Sequence, residues 1–322
     1  APSNAKLFSS GRGVAASTSI VNAGAEEVTG SLLDSAGQVA GADGPRFTDS
    51  RIGTWGKGFG GFGRANGASV ENYGGLAGYG SAIHRHLVLG FALSGFGAST
   101  RTNPQQVNDQ SVGGGLYAID TQGNLRLSAS LDGGYLHQNS LRDLYTPQNQ
   151  RLETAAGSSD GWYLGVGVQG QYLIPVGANF LMPYGRIQYA HTHLSGFAEH
   201  GANYIANLNI AYGSLNTSVA AFTGGLRAGT DMGLGGMTLI PWVSVGGTGY
   251  AGTLHVLQSE TVGLLSSTAG ALVAPDAALD AGAGLTLRGS RGNPWAVKVA
   301  YHGQFGGDTH LNSFDLLANY RW

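Results

Sequence analysis

Two histidine pairs, His84-Arg-His86 and His191-Thr-His193, have the i, i+2 spacing that puts both imidazoles on one face of an extended strand. Such a pair can supply two ligands to a metal ion. No Asp or Glu stands close to either pair to complete a tetrahedral set. Both pairs fall near strand ends, where interfacial polar residues account for them, and no metal is expected. Asp143, Asp160, Glu199 and His200 fall in expected loops. A barrel protease or lipase would need His converging with Asp or Ser on one rim. The spacing of these four matches no catalytic set, so neither a catalytic residue nor a cofactor is expected. Cys is absent, which removes thiol catalysis, disulfides and thiolate metal sites. No Gly-rich stretch opens a helix after a strand, so a nucleotide loop is not expected.

The remaining charges follow a different pattern. Arg126, Asp132, Arg186, Arg227, Asp280, Arg288, Lys298, Asp315 and Arg321 each occupy the polar side of an alternating segment. The last segment is the clearest. Phe314, Leu316, Ala318, Tyr320 and Trp322 fall on one side of it, and Asp315, Leu317, Asn319 and Arg321 on the other. A greasy face ending in aromatics, backed by a polar face, suits the closing strand of an outer-membrane barrel. An ordinary half-buried strand shows the same alternation.

Composition favours the barrel. Charged residues are 11% of the 322, against roughly 25% in soluble domains. Glycine contributes 56 residues, and no run of 18 apolar residues exists. Alternating walls average to neutral hydropathy without any such run. The net charge of −2 leaves no nucleic-acid footprint. The chain begins at Ala1 without a signal peptide, and reads as mature, trimmed or the end of something longer.

Along the chain, residues 1–13 read as a tether. Val14 to about Val39 is the one good helix candidate, with Ile20, Val21, Val28, Leu32, Leu33 and Val39 at roughly helical spacing. Its internal Gly24 and Gly30 each cost about 1 kcal/mol against Ala. Its face is small and mildly apolar, as a helix inside a polar tube requires. Gly41-Ala-Asp-Gly-Pro45 ends it. Strands are expected at 55–64, 70–83, 87–100, 110–120, 125–137, 162–174, 181–191, 218–231, 238–246, 277–288, 295–305 and 314–322. The facing of the first, Trp55-Gly-Lys-Gly-Phe-Gly-Gly-Phe-Gly-Arg64, is not assignable. Links at 120–124, 176–179, 234–236 and 289–293 are tight, and those at 141–160, 196–215 and 254–276 are long. Short turns on one rim and long loops on the other are a barrel's asymmetry. Gly165, Gly167, Gly282 and Gly284 fall inward and would leave room for a helix backbone. The expected fold is thus an all-β membrane protein, a transmembrane antiparallel barrel of about twelve strands with an N-terminal α-helix in its lumen.

These segments resemble the translocator β-domain of autotransporters, the type V secretion proteins. Trp55-Gly-Lys-Gly-Phe-Gly resembles the family's opening strand. Asp280-Ala-Gly-Ala-Gly-Leu resembles the start of its last three-strand unit. Tyr301-His-Gly-Gln-Phe-Gly-Gly307 with Leu316-Leu-Ala-Asn-Tyr-Arg-Trp322 resembles its ending. The resemblance implies a linker and plugging helix at 1–45 and a barrel at 46–322. It implies that the domain anchors and exports its own N-terminal passenger across the Gram-negative outer membrane. The barrel-assembly machinery would read the last strand, through Phe314, Leu316, Tyr320 and Trp322. Outer-membrane lipid or lipopolysaccharide would surround a monomer. Some relatives cut the passenger free by cyclising one Asn of an Asn pair in the helix. This chain has Asn22 followed by Ala23, so self-cleavage is not expected. Arg186, Arg227 or Arg321 are expected to hold Glu26, Glu27 or Asp34 of the helix, because a buried carboxylate is costly unpaired. The plainer expectation is that the inner charges simply solvate a pore. Rival readings are a plugged channel for small solutes and a soluble all-β adhesin or lectin.

Overall fold

The computed structural model describes residues 12–34, 39–41, 44–47, 53–65, 67–145, 150–202, 208–289, 294–307 and 309–320. Twelve antiparallel strands close into a barrel around one helix. The helix α1 is Arg12–Asp34. The wall strands are β1 (Thr54–Ala65), β2 (Ala68–Ala82), β3 (Leu87–Thr102), β4 (Gln105–Gln122), β5 (Leu125–Tyr145) and β6 (Arg151–Tyr172). They continue as β7 (Asn179–Leu194), β8 (Leu215–Thr230), β9 (Met237–Gly252), β10 (Ala277–Gly289), β11 (Trp295–Gly306) and β12 (Thr309–Tyr320). Each pairs with its neighbours in sequence, and β12 pairs with β1 from His310↔Arg64 to Tyr320↔Thr54. Closure leaves no wall edge exposed to lipid, where an unpaired backbone group is costly.

The alternation decides which face is which. On β5, Leu125, Leu127, Leu131 and Tyr135 are exposed, while Arg126, Ser128, Ser130 and Asp132 are buried. The apolar row therefore faces outward and the polar row lines the lumen, the reverse of a soluble core. On β12, Phe314, Leu316 and Tyr320 are exposed while Asp315, Leu317 and Asn319 are buried. Arg321 and Trp322 lie outside the described residues.

The two rims differ. The turns after β2, β4, β6, β8 and β10 are on the rim from which β1 starts. The tight turn between β4 and β5 needs the left-handed backbone of Gly123, at φ 59. On the opposite rim the long loops are more structured than the sequence suggests. The segment 141–160, expected as a loop, is mostly strand: β5 runs to Tyr145 and β6 starts at Arg151. Here the buried inner face is polar, with Gln138, Ser140 and Arg142, and the outer face carries Asn139 and Asp143, so the apolar contrast that marks a strand is missing. The segments 196–215 and 254–276 form a small lid. Phe197–Ala198, Ala211–Tyr212, His255–Val262 and Leu265–Leu272 make a four-stranded sheet of their own.

Candidate functional site

The lumen holds α1, buried except along Ala23, Glu26, Glu27 and Asp34, which are half-buried. Val14, Ala15, Ile20, Val21, Ala25, Val28, Leu32 and Leu33 are each at most 3% exposed. Small residues make this possible, because the wall leaves little room. A Cβ at Gly24 would come 2.7 Å from the Phe96 ring. A Cβ on wall residue Gly167 would come 2.7 Å from Thr29 and 2.8 Å from Leu33. One on Gly165 would strike Thr29 and stand 2.8 Å from both carboxylate oxygens of Asp132. Gly165 and Gly167 thus let the helix lie against β6. Gly282 and Gly284 do not serve that purpose. A Cβ there would meet Ser244 and Trp242, side chains of the neighbouring strand, rather than the helix.

Polar groups on the helix find partners along its length. Ser17, Thr18 and Ser19 donate back to the carbonyls of Val14, Ala15 and Ala16, at 2.7, 2.5 and 2.7 Å. Thr29 donates to Asp132 at 2.8 Å. Gln138 donates to Ser17 Oγ, and Gln188 to the Glu26 carbonyl, both at 2.8 Å. Asn22 is held from two strands: Thr192 donates to its Oδ1 at 2.9 Å, and its Nδ2 donates to Thr217 at 3.0 Å.

The charged contacts answer only partly to the sequence reading. Arg186 Nη2 lies 3.0 Å from Asp34 Oδ2, and Gln169 donates to the other oxygen at 3.0 Å. Glu27 is met by Lys57, which the sequence reading left unassigned. Lys57 Nζ lies 2.5 Å from Glu27 and 3.4 Å from Asp315, bridging helix and wall. His302 Nε2 also approaches Asp315, at 3.4 Å. Arg227 instead stacks on Trp242, its guanidinium carbon 4.3 Å from the ring centroid, with Lys298 5.3 Å from the same ring. Arg126 lies 5.7 Å from the Phe47 ring. Asp280 accepts from Thr248 at 2.5 Å and from Gln304 at 3.2 Å. Arg288 is half-buried at the turn rim. Glu26 faces a polar cavity of about 230 Å³ lined also by Glu27, Lys57, Arg227, Asp280 and Asp315. The inner charges are thus split between pairs, aromatic rings and the cavity.

Apolar clusters sit at both mouths. At the turn rim Phe47 packs with Leu173, Phe180, Met182, Ile240 and Trp242. At the loop rim the lid sheet seats Ile210 and Tyr212 on Val14 of the helix. The lid is fastened to β5 by a buried ion pair: Arg142 Nε donates to both Glu199 oxygens, at 3.1 and 3.2 Å. Ile210 N and Tyr212 Oη donate to the same carboxylate at 3.0 and 3.2 Å. Glu260, on the lid hairpin, is fully buried with both oxygens unbonded among the described residues. Burial pushes its carboxyl up from 4.5 to about 7, with Glu199 adding to the effect and Arg142 opposing it. Glu199 and His200 had read only as loop residues; a single Glu in a loop carries no signal of burial.

The Autotransporter beta-domain family model matches residues 54–302. The chain belongs to the autotransporter β-domain family. No curated protein sequence matches it. Among solved structures, it is similar to the translocator domain of autotransporter NalP from Neisseria meningitidis. That match has a TM-score of 0.70 at 16% identity and covers 96% of this chain and 98% of that one. The β-domain of the Bordetella autotransporter BrkA matches at TM-score 0.61 and 17% identity, over 84% of this chain and all 100% of that one. The transport unit of AIDA-I from Escherichia coli matches at 0.56 and 12%, over 94% and 98%. At these identities the structural matches speak for the fold, while the family model carries the membership. Autotransporter β-domains are outer-membrane proteins of Gram-negative bacteria, and translocator domains are generally not enzymes.

Proposed function

We propose that this β-domain anchors and exports a passenger joined to the N-terminal side of α1, and that α1 then stays behind as the plug. The observation that carries the reading is the direction of the helix. Its N-terminal end packs beneath the lid at the loop rim, and its Asp34 end meets Arg186 and Gln169 deeper in the lumen. A chain leaving α1 from its N-terminal end therefore exits on the long-loop side, which is the cell-surface side of such barrels. Residues 1–45 act as linker and plug, and 46–322 as the translocator. The barrel-assembly machinery is the partner for β12, through Phe314, Leu316, Tyr320 and Trp322. Lipid or lipopolysaccharide solvates the outer face of a monomer.

Release of the passenger by cyclisation at Asn22 is not part of this reading. Asn22 bonds to Thr192 and Thr217, two neutral hydroxyls, and no carboxylate appears among its described hydrogen bonds. Among the described residues, the amide nitrogen of Asn22 bonds to the Thr217 hydroxyl. A reporter passenger fused ahead of residue 1 should appear at the surface of intact cells, still attached to the barrel on a denaturing gel. A reporter confined to the periplasm would overturn the export reading. Cleavage abolished by Asn22→Ala would overturn the second part. A dedicated solute channel is separated by deleting residues 1–45. The export barrel becomes an unselective pore, whereas a channel keeps a solute preference.

A further inference from the structure

The His191-Thr-His193 pair plays no part in the lumen. Thr192 faces the helix through Asn22, so the imidazoles on either side of it face out of the wall. The strand register gathers more residues around them. Tyr135 and His137 of β5 stand opposite Trp162 and Asp160 of β6. Trp162 stands opposite His193 of β7, and His193 and His191 stand opposite Asn216 and Ser218 of β8. The Trp162 ring lies 5.0 Å from His191 and 6.0 Å from His193. Next to this patch, toward the turn rim, the same strands expose Leu131, Leu164, Val166 and Ile187. The patch begins where the apolar band stops, with Tyr135, Trp162 and Tyr189 at the boundary. That is the headgroup level of the outer leaflet.

The polar atoms here are arranged for more than general wetting. A carboxylate only accepts, so His137 Nδ1 donates to Asp160 Oδ1, at 2.8 Å. Tyr135 donates to the same oxygen. His193 Nδ1 lies 2.7 Å from Asn216 Oδ1 and donates to it, and His191 Nδ1 pairs with Ser218 Oγ at 2.8 Å. Each ring is fixed through Nδ1, so its Nε2 edge is the one turned to a ligand. In the neutral rings of His137 and His193, which donate through Nδ1, that atom accepts a hydrogen bond. Asp160 adds a second carboxylate oxygen. The only fixed charge among these eight residues is that of Asp160. Farther along the strands Arg151 is 3.0 Å from Asp143 and is engaged there. A phosphate would therefore meet a carboxylate and, among these eight residues, no fixed cation. A sugar ring would meet an indole face for its C–H side and several acceptors for its hydroxyls.

The geometry points to a binding site for the sugar headgroup of an outer-leaflet glycolipid, seated on Trp162 between Asp160, His137, His191 and His193. The acyl chains of that lipid lie on the apolar band formed by Leu131, Leu164, Val166 and Ile187. This inference rests on the reading of the barrel as membrane-embedded.

The folded barrel in a detergent without sugar is mixed with either monoglucosyl diacylglycerol or phosphatidylglycerol of the same acyl chains. Retained lipid is counted by native mass spectrometry. The wild type should hold the glucosyl lipid about tenfold more tightly, the scale of one good aromatic contact. Trp162→Ala should bring the ratio to about one by the same reasoning. The double variant His137→Ala/His193→Ala leaves the girdle ring in place and serves if Trp162→Ala does not fold; it should lower the ratio several-fold. Equal retention of both lipids by the wild type overturns the site. So does preference for phosphatidylglycerol, or a preference that survives the variants. Solubility of the folded chain without any detergent would instead overturn the membrane reading itself.

Discussion

Glu260 makes the lid sensitive to pH. It is fully buried on the hairpin His255–Val262, unbonded among the described residues, and near the Glu199–Arg142 pair. Its carboxyl is raised from 4.5 to about 7, by burial first. Below about 4.5 it is protonated whether the lid is closed or open, and contributes nothing to the difference. Between 4.5 and about 7 the open form loses its proton first, so the closed lid weakens as pH rises. Above about 7 the whole deficit is present. At full burial the change corresponds to about 3 kcal/mol, and solvent near the loop rim reduces this to about 2 kcal/mol. Glu260→Gln keeps the shape and removes the charge. The opening constant of the lid at pH 8 should then fall about 30-fold, the equivalent of about 2 kcal/mol, with almost no change at pH 4, below both values. Amide hydrogen exchange in residues 255–272, corrected for the intrinsic pH dependence of exchange, reads that constant directly. Equal protection of wild type and variant at pH 8 would refute the reasoning. A difference of the same size at pH 4 would also refute it, because a neutral carboxyl and an amide should not differ that way.

Three other perturbations probe the plug and its lid. Arg142→Met leaves Glu199 buried without its cation, and should destabilise the closed lid by about 3 kcal/mol. Loop-specific proteolysis should then increase while heat-modifiable migration of the barrel stays the same. Lys57→Met removes the cation shared by Glu27 and Asp315. It should raise the frequency of pore openings in planar bilayers, with Lys57→Arg restoring the closed behaviour; identical records for all three would remove the ion pair from the plugging account. Gly165→Leu should push α1 off β6, since even its Cβ overlaps Thr29. Its conductance should approach that of the barrel lacking residues 1–45, and a silent pore would show that the helix can shift along the wall at little cost.

The barrel wall was legible because its two faces meet different solvents. Leu125 to Asp132 alternates apolar and polar, since lipid is on one side and a polar lumen on the other. Where both faces carry polar side chains, as in 138–145 and 151–160, the same strands lose that contrast and read as loop. On β1 the outward positions Gly56, Gly58 and Gly60 carry no side chain. Nothing there revealed that Trp55, Lys57 and Phe59 point inward.

Pairing was harder to read than facing, and for a definite reason. Alternation tells which side of the wall a charge occupies, but not its height relative to the helix. Asp34 meets Arg186, and Glu27 meets Lys57, because the closing of twelve strands sets those heights. Arg227 had the right facing and found Trp242 instead. The lid adds a further step. Val256, Gln258 and Glu260 alternate with exposed Leu257, which is the signature of a strand, yet burying a carboxylate runs against the usual placement of Glu. Only the docking of the hairpin over Tyr212 and Arg142 encloses Glu260. The chemistry of this domain therefore resides in contacts made last, between loops and helix, and the wall acts on it mainly by fixing where they meet.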